Sequence, residues 1–483
     1  MTGLKKFSAL AFAVSATLAL AACGGADGVA SPGEGGFGGN GGGTGNPPPT
    51  GGTGAATDCP TGFANVGTVT AAVGGALRVC QLPAQILGNL VVPLRTGTIY
   101  SISGRVDVGQ DRGGNAASPI AGAQQGILTV EPGVRIFGSA GLDYIVVNRG
   151  SQIFAQGTAT QPIVFTSRQS VEGTTTVDSI GQWGGLVILG RANISNCPGG
   201  TPYGSATCEA QVEGTNALYG GNANADNSGI LEFVRVQHSG FQILPNNELN
   251  GITFAGVGNG TTLRNIQVHN SSDDGIEFFG GNVNVRNLVL TGNDDDAVDT
   301  DQGYTGSLQF GIVVQRANGG DKMIEASMAS LATGNTRSRP QFSNFTFVGR
   351  GANAGVVFNT GTDVAMYNSI IRHTAGTAAC IDIDNQPATT GTFRSVFLAC
   401  NTPFDADADD EAAIFTNASN VPTGTSTLTG TFINGANETA VAVTSPTALS
   451  AFFASTTYIG AVRDASDTWW QGWTCGLAAG STC

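Results

Sequence analysis

From about residue 84 onward, short β-branched and aromatic runs alternate with glycine, asparagine and aspartate, and no long stretch shows helical periodicity. The spacing of the runs predicts the fold. Leu263-Arg264-Asn265-Ile266-Gln267-Val268 returns 22 residues later as Val285-Arg286-Asn287-Leu288-Val289-Leu290. The same register recurs from Phe342 to Phe347, from Met366 to Ile371 and from Phe393 to Leu398, with steps of 24 and 27 residues after a 57-residue gap that has room for two rungs. A second register runs beside it through Ile252, Ile276 and Val298. Paired strands repeating every 22 to 27 residues predict an all-β, right-handed, single-stranded parallel β-helix. Ile266, Val268, Ile276 and Phe278 should fill its interior. A β-propeller, the main competitor together with a β-sandwich, needs a period of about 40 to 50 residues. The expected layout is an N-terminal cap at 59–95, the solenoid at 96–445 and a C-terminal cap at 446–483, which begins with modest helical character from Pro446 to Ala454.

Composition adds an address. The 483 residues include 73 glycines without a period of three, which excludes collagen. A net charge of −14 argues against nucleic acid and favours cations or neutral polar ligands. Lys5 and Lys6 precede an apolar run, Phe7 to Leu20, that is too short for an ordinary membrane span, so residues 1–22 read as an export signal. The signal ends in Leu20-Ala21-Ala22-Cys23, which resembles the lipobox of bacterial lipoproteins. That resemblance implies acylation (palmitate) at Cys23. Gly24 resembles the pattern that lets such proteins leave the inner membrane, so the outer membrane or cell surface is the expected location, with release by type II secretion as the alternative. Residues 23–58 form a glycine- and proline-rich tether with a reach of roughly 30 Å.

The eight remaining cysteines suit an oxidising compartment and fall in sequence-local pairs: Cys59 with Cys80, Cys197 with Cys208, Cys380 with Cys400, and Cys475 with Cys483. Zinc is the alternative, but there is no CxxC spacing and the chain has only 3 histidines. Two of the pairs are expected at the ends of the folded region, where a solenoid would fray.

The most concentrated polar chemistry is an acidic ladder. Asp273, Asp274 and Glu277 should stack on Asp295, Asp296 and Asp299, followed by Asp301. Equivalent residues of adjacent coils lie about 4.8 Å apart, so these carboxylates share a cation, retain protons or bond turn amides. Calcium suits an all-oxygen set. If the protein is an enzyme, Asp273, Asp274, Asp295 and Asp296 are the candidate acids and bases. Their spacing superficially resembles polygalacturonases, but the glycine-histidine-glycine and arginine-isoleucine-lysine elements of those enzymes are missing. Pectate lyases place a basic residue beside calcium, for which Arg316 and Lys322 are candidates. His238, His269 and His373 follow strands and read as turn or surface residues, with His269 as a base beside Asp273 the sharper alternative. Trp469, Trp470 and Trp473 read as a packed cap, with sugar stacking as the rival.

Several segments resemble a family of bacterial surface lipoproteins with β-helix folds. These are Gly181-Gln182-Trp183-Gly184-Gly185 with Leu186 to Gly190, Ser272-Asp273-Asp274-Gly275, Gly292-Asn293-Asp294-Asp295-Asp296, Asp301-Gln302-Gly303-Tyr304 and Trp470-Gln471-Gly472-Trp473-Thr474. Many members resemble accessory proteins encoded near TonB-dependent nutrient receptors. The resemblance implies a lipid-anchored, non-catalytic β-helix that binds an extracellular polymer such as a polysaccharide, a nutrient or a TonB-dependent receptor. A polysaccharide hydrolase or lyase and an adhesion or surface-structure component are the alternatives.

Overall fold

The computed structural model describes residues 54–483 apart from 245–246, 329–335, 352, 354, 374–375, 408, 479–480 and 482. Cys23 and nearly all of the tether lie outside the described residues. Parallel ladders dominate, in one sheet of 17 strands and one of 11. In the larger sheet Leu231, Leu263, Val285, Leu308, Phe342, Met366 and Phe393 stack in register. In the smaller one Ile252, Ile276, Val298, Ile324, Val356 and Ile381 do the same. The chain is therefore a parallel β-helix with the strand registers expected from the sequence. A single strand, Ser307–Val314, fills the 57-residue gap, and a longer excursion follows it.

The recurrent asparagine of the first register marks a bend. Phe233, Asn265, Asn287, Phe310, Asn344, Asn368 and Ser395 take φ values between 49° and 63°. Asparagine tolerates this left-handed region better than other side chains with a Cβ. The bend folds one strand across two walls. Before it, Gly229–Gln237 pairs with Gln152–Gln156, and after it with Ile163–Ser167. We expect Asn287→Gly to be nearly neutral, whereas Asn287→Val costs about 1–2 kcal/mol. Denaturant unfolding of both variants checks this, and equal stability would remove strain as the reason for the asparagine.

Inward side chains form one continuous core in which Phe254, Phe278 and Tyr304 stack face to face at 5.5 and 4.5 Å between centroids. The buried Tyr304 hydroxyl donates to Val283 O at 2.8 Å, so the core gains an aromatic ring without stranding a polar atom.

Three expected boundaries need correction. The N-terminal cap is shorter than 59–95, because Gly75–Gln81, Gln85–Ile86 and Gly88–Val92 already pair in parallel with later coils. At that end Ala64–Ala71 runs antiparallel to Gly75–Gln81, and Cys59 and Phe63 pack against the core. These first rungs bury Val79, Leu82, Ile86 and Val92. At the other end the solenoid stops before 445: its last parallel partners are Thr402–Phe404 and the bridge from Phe397 to Val421.

The third correction concerns 446–483, which does not close an end. Side-chain amides of the larger sheet hold it along the outer wall. Asn344 donates to Tyr458 O at 3.0 Å, Gln309 to Ala454 O at 2.7 Å and Gln267 to Cys475 O at 2.6 Å. Beneath this strap lie Val289, Ile312, Val314 and Val348, packed against Phe432, Ala461, Val462, Trp473 and Leu477. The wall is apolar on both faces, so its outer residues need a cover. Of the expected helical stretch, only Pro446–Ala448 forms a turn of 3-10 helix.

All four expected disulfides form. Cys59–Cys80 sits at the first coil as anticipated. Cys475–Cys483 closes the strap beside Gln267, in the middle of the solenoid wall and not at its end.

Candidate metal centre

Three short strands of the smaller sheet, Ile276–Phe279, Val298–Asp301 and Ile324–Ala326, present alternate residues outward. Ile276 and Phe278 point into the core, so Glu277 points out, and the register places Glu277, Asp299 and Glu325 in one column. The turns preceding these strands supply Asp273 and Asp274, then Asp295 and Asp296, then Asp321. Three overlapping triads result: Asp273, Asp274 and Asp295; Asp274, Glu277 and Asp299; and Asp295, Asp296 and Asp321. Within each, one oxygen per residue lies within 4.8 Å of the others.

Backbone amides fix the turns. Asp296 N donates to Asp274 Oδ1 at 3.1 Å and Lys322 N to Asp296 Oδ1 at 2.6 Å, each linking one coil to the next. An excursion and a hairpin, Phe241–Leu244 with Asn247–Leu249, roof the column and add Glu213 and Glu248. Asn250 donates to Glu277 Oε2 at 2.5 Å. Its own Oδ1 is buried without a partner, as is Asp299 Oδ1. Orphaned oxygens among buried carboxylates are the donor set a hard cation takes, so the residues fit calcium.

Electrostatics make the same demand. Burial, then repulsion from Asp295, pushes Asp273 up to about 8. Asp274, Glu277, Asp296 and Asp299 are raised well above ordinary carboxyl values, first by burial and then by a neighbouring carboxylate: Asp273 for Asp274, Asp299 for Glu277, Glu325 for Asp296 and Asp296 for Asp299. Asp295 is raised by burial and by Asp321, although it is exposed and forms the lip of the site. Without a cation these groups must hold protons that the unfolded chain would release. Lys322 contributes positive charge at the edge, its Nζ 2.6 Å from Asp321 Oδ1. Burial disfavours that ammonium, but Asp321 outweighs burial and holds its pKa above the usual lysine value.

The structure brings together Asp273, Asp274, Glu277, Asp295, Asp296 and Asp299. Asp301 stands apart from the triads: it stacks on Phe279, and its carboxylate accepts from Gln302 N at 2.6 Å and Gln302 Nε2 at 2.9 Å. Sequence reading missed Asp321 and Glu325. Their separation repeats that of Asp273 from Glu277 and of Asp295 from Asp299, which was the available signal. Glu213 and Glu248 carried no such signal, because irregular excursions deliver them.

His269 is buried beneath the strap at Gly476, its Nδ1 2.8 Å from Thr291 Oγ1, and stacks edge-on to His238. Burial lowers the pKa of both rings. Neither sits in a carboxylate triad, and both serve packing. Arg316 is committed to Asp294 at 3.0 Å and Asp178 at 3.3 Å. Trp183 and Trp473 are fully buried, which leaves them no face for a sugar.

No curated protein matches the chain. Two solved structures resemble it at low identity. The crystal structure of pectate lyase Pel9A is 11% identical with a TM-score of 0.38, over 80% of this chain and 97% of that one. The crystal structure of the Agl-KA catalytic domain is 13% identical with a TM-score of 0.26, over 64% and 62%. The decisive comparison is with a family: residues 110–474 match the model described as a pectate-lyase like beta helix domain, and the chain belongs to that family.

Proposed function

We propose that the protein is an extracellular, lipid-tethered β-helix that binds an anionic polysaccharide through calcium held in the acidic ladder, without cleaving it. The observation that carries this reading is the set of three overlapping carboxylate triads on consecutive coils, with exposed Asp295 at their lip. Asp273, Asp274 and Asp295 would hold the outermost ion, and Glu277, Asp296, Asp299 and Asp321 deeper ones. Calcium bound there neutralises the carboxylates and offers open positions to a sugar carboxylate. Asp295 and Asp273 position that ion, and the roofing hairpin limits access to one side. The tether and acylated Cys23 would keep the domain at the outer membrane, in keeping with an accessory role beside a nutrient receptor.

A second reading, cleavage by a lyase mechanism, is favoured by Lys322 standing beside the triad of Asp295, Asp296 and Asp321. Against it, Asp321 keeps that lysine protonated, the wrong state for a base. One assay separates the two. With polygalacturonate and calcium, we expect retention of the polymer and no ultraviolet absorbance from unsaturated chain ends. Retention should vanish in chelator and in Asp273→Asn/Asp295→Asn. Unsaturated ends that appear with the wild type and not with Lys322→Ala would establish the lyase. Failure to retain any anionic polymer would defeat the binding reading.

A further inference from the structure

The acidic column does not end at Glu325. Val357 interrupts it for one coil, and Asp382 resumes it on the next. Ile381 then pairs with Phe404, and Asp405 N donates to Ile381 O at 3.2 Å. That register brings Asp405, Asp407, Asp409 and Glu411 close to Asp382 and Asp384. Oxygens of Asp384, Asp407 and Asp409 lie within 4.8 Å of one another. Asp410 is already used, since its Oδ1 caps Ala413 N at 3.0 Å.

Two buried atoms point to a missing partner. Glu411 is 2% exposed, and its Oε1 has no hydrogen bond. Asp382 Oδ1 is buried and equally alone. Both carboxyls feel the charge of Asp407, and Glu411 also that of Asp409, so they face the triad. Burial and then Asp384 push Asp382 up to about 7. The segment brings no counter-charge of its own, for the sequence contains no lysine or arginine between Arg394 and Arg463. Ionised carboxylates buried without a cation are costly, and a set of hard oxygen donors suits calcium.

We propose that Asp384, Asp407, Asp409 and Glu411, backed by Asp382, form a second calcium site that fastens the 405–411 segment onto the last coil of the solenoid. The site pins the segment that leads into Ile414 and Phe415, which pack against Phe393 and Phe404 at the C-terminal end of the core. It stands whether or not the first ladder is occupied.

Calcium counting on the full chain by equilibrium dialysis tests it, with calcium as the only added metal. Asp384→Asn/Asp407→Asn should bind one calcium fewer than wild type and lose calcium-dependent protection of the 405–411 segment from proteolysis. Glu277→Gln/Asp299→Asn should keep both that ion and that protection. Asp407→Asn alone, at an exposed position, guards against misfolding and should weaken the same ion at least tenfold. An unchanged complement and protection in the Asp407 variants would overturn the proposal. So would loss of all bound calcium and of protection in the Glu277 pair, which would place every ion in the first ladder.

Discussion

Stripping calcium from the protein should lower its melting temperature by on the order of 5 °C near pH 8 and by much less near pH 5. The first part is mass action: a ligand at about 100 times its Kd stabilises the folded state by roughly 2.7 kcal/mol. The pH dependence follows from the raised carboxyls. In the stripped protein, Asp273 is pushed up to about 8 and Asp301 to about 6, and Asp274, Glu277, Asp296 and Asp299 are raised well above the usual range. A native state that keeps protons which the unfolded chain has released loses stability as pH rises. The contribution of these groups is therefore fully present below the ordinary carboxyl range, about 4, and disappears as pH climbs through 6 and 8. At pH 5 protons do in the stripped protein what calcium does in the loaded one, and at pH 8 nothing replaces the ion. Calorimetry on stripped and saturated samples at both pH values checks this. Equal melting temperatures with and without calcium at pH 8 would rule out a structural ion.

Trp473→Ala should cost about 3–5 kcal/mol, the range for removing a large buried aromatic ring. Trp473 is fully buried, meets Phe233 edge-on at 5.8 Å and donates through Nε1 to Trp469 O at 2.9 Å. It belongs to the apolar layer that joins the strap to Val289, Ile312, Val314 and Val348. Hydrogen exchange gives the more specific readout. Loss of the strap should deprotect the wall at Gly229–Gln237, Thr262–His269 and Val285–Thr291. A segment that merely capped the end would instead deprotect Phe397–Cys400 and its neighbours. A variant as stable as wild type, with protection unchanged, would contradict the packing described here.

That contrast shows where sequence reasoning worked. Leu263 onto Val285 and Ile276 onto Val298 were legible because a solenoid repeats: each coil must bury the same positions, so periodicity in the chain is periodicity in space. Asn265 and Asn287 occupy equivalent places in the two repeated runs, and the left-handed bend supplies the reason. The strap was misread because 446–483 repeats nothing. Its destination was nevertheless hinted at by Leu288-Val289-Leu290 and Ile312-Val313-Val314, runs apolar on both faces that imply a cover on the outer side.

The sequence by itself determined the coil, its register and the stacking of Glu277 on Asp299, since all of these follow from short-range repetition of residue types, whereas it offered the cysteine pairs only as neighbours along the chain. Only the tertiary structure decided that Glu213, Glu248 and Asn250 gather around that column, that Asp301 leaves it, and that Glu411 turns toward Asp407 and Asp409. The physical reason is that non-repeating excursions are placed by whatever apolar surface remains uncovered. That surface exists only once the coils have stacked.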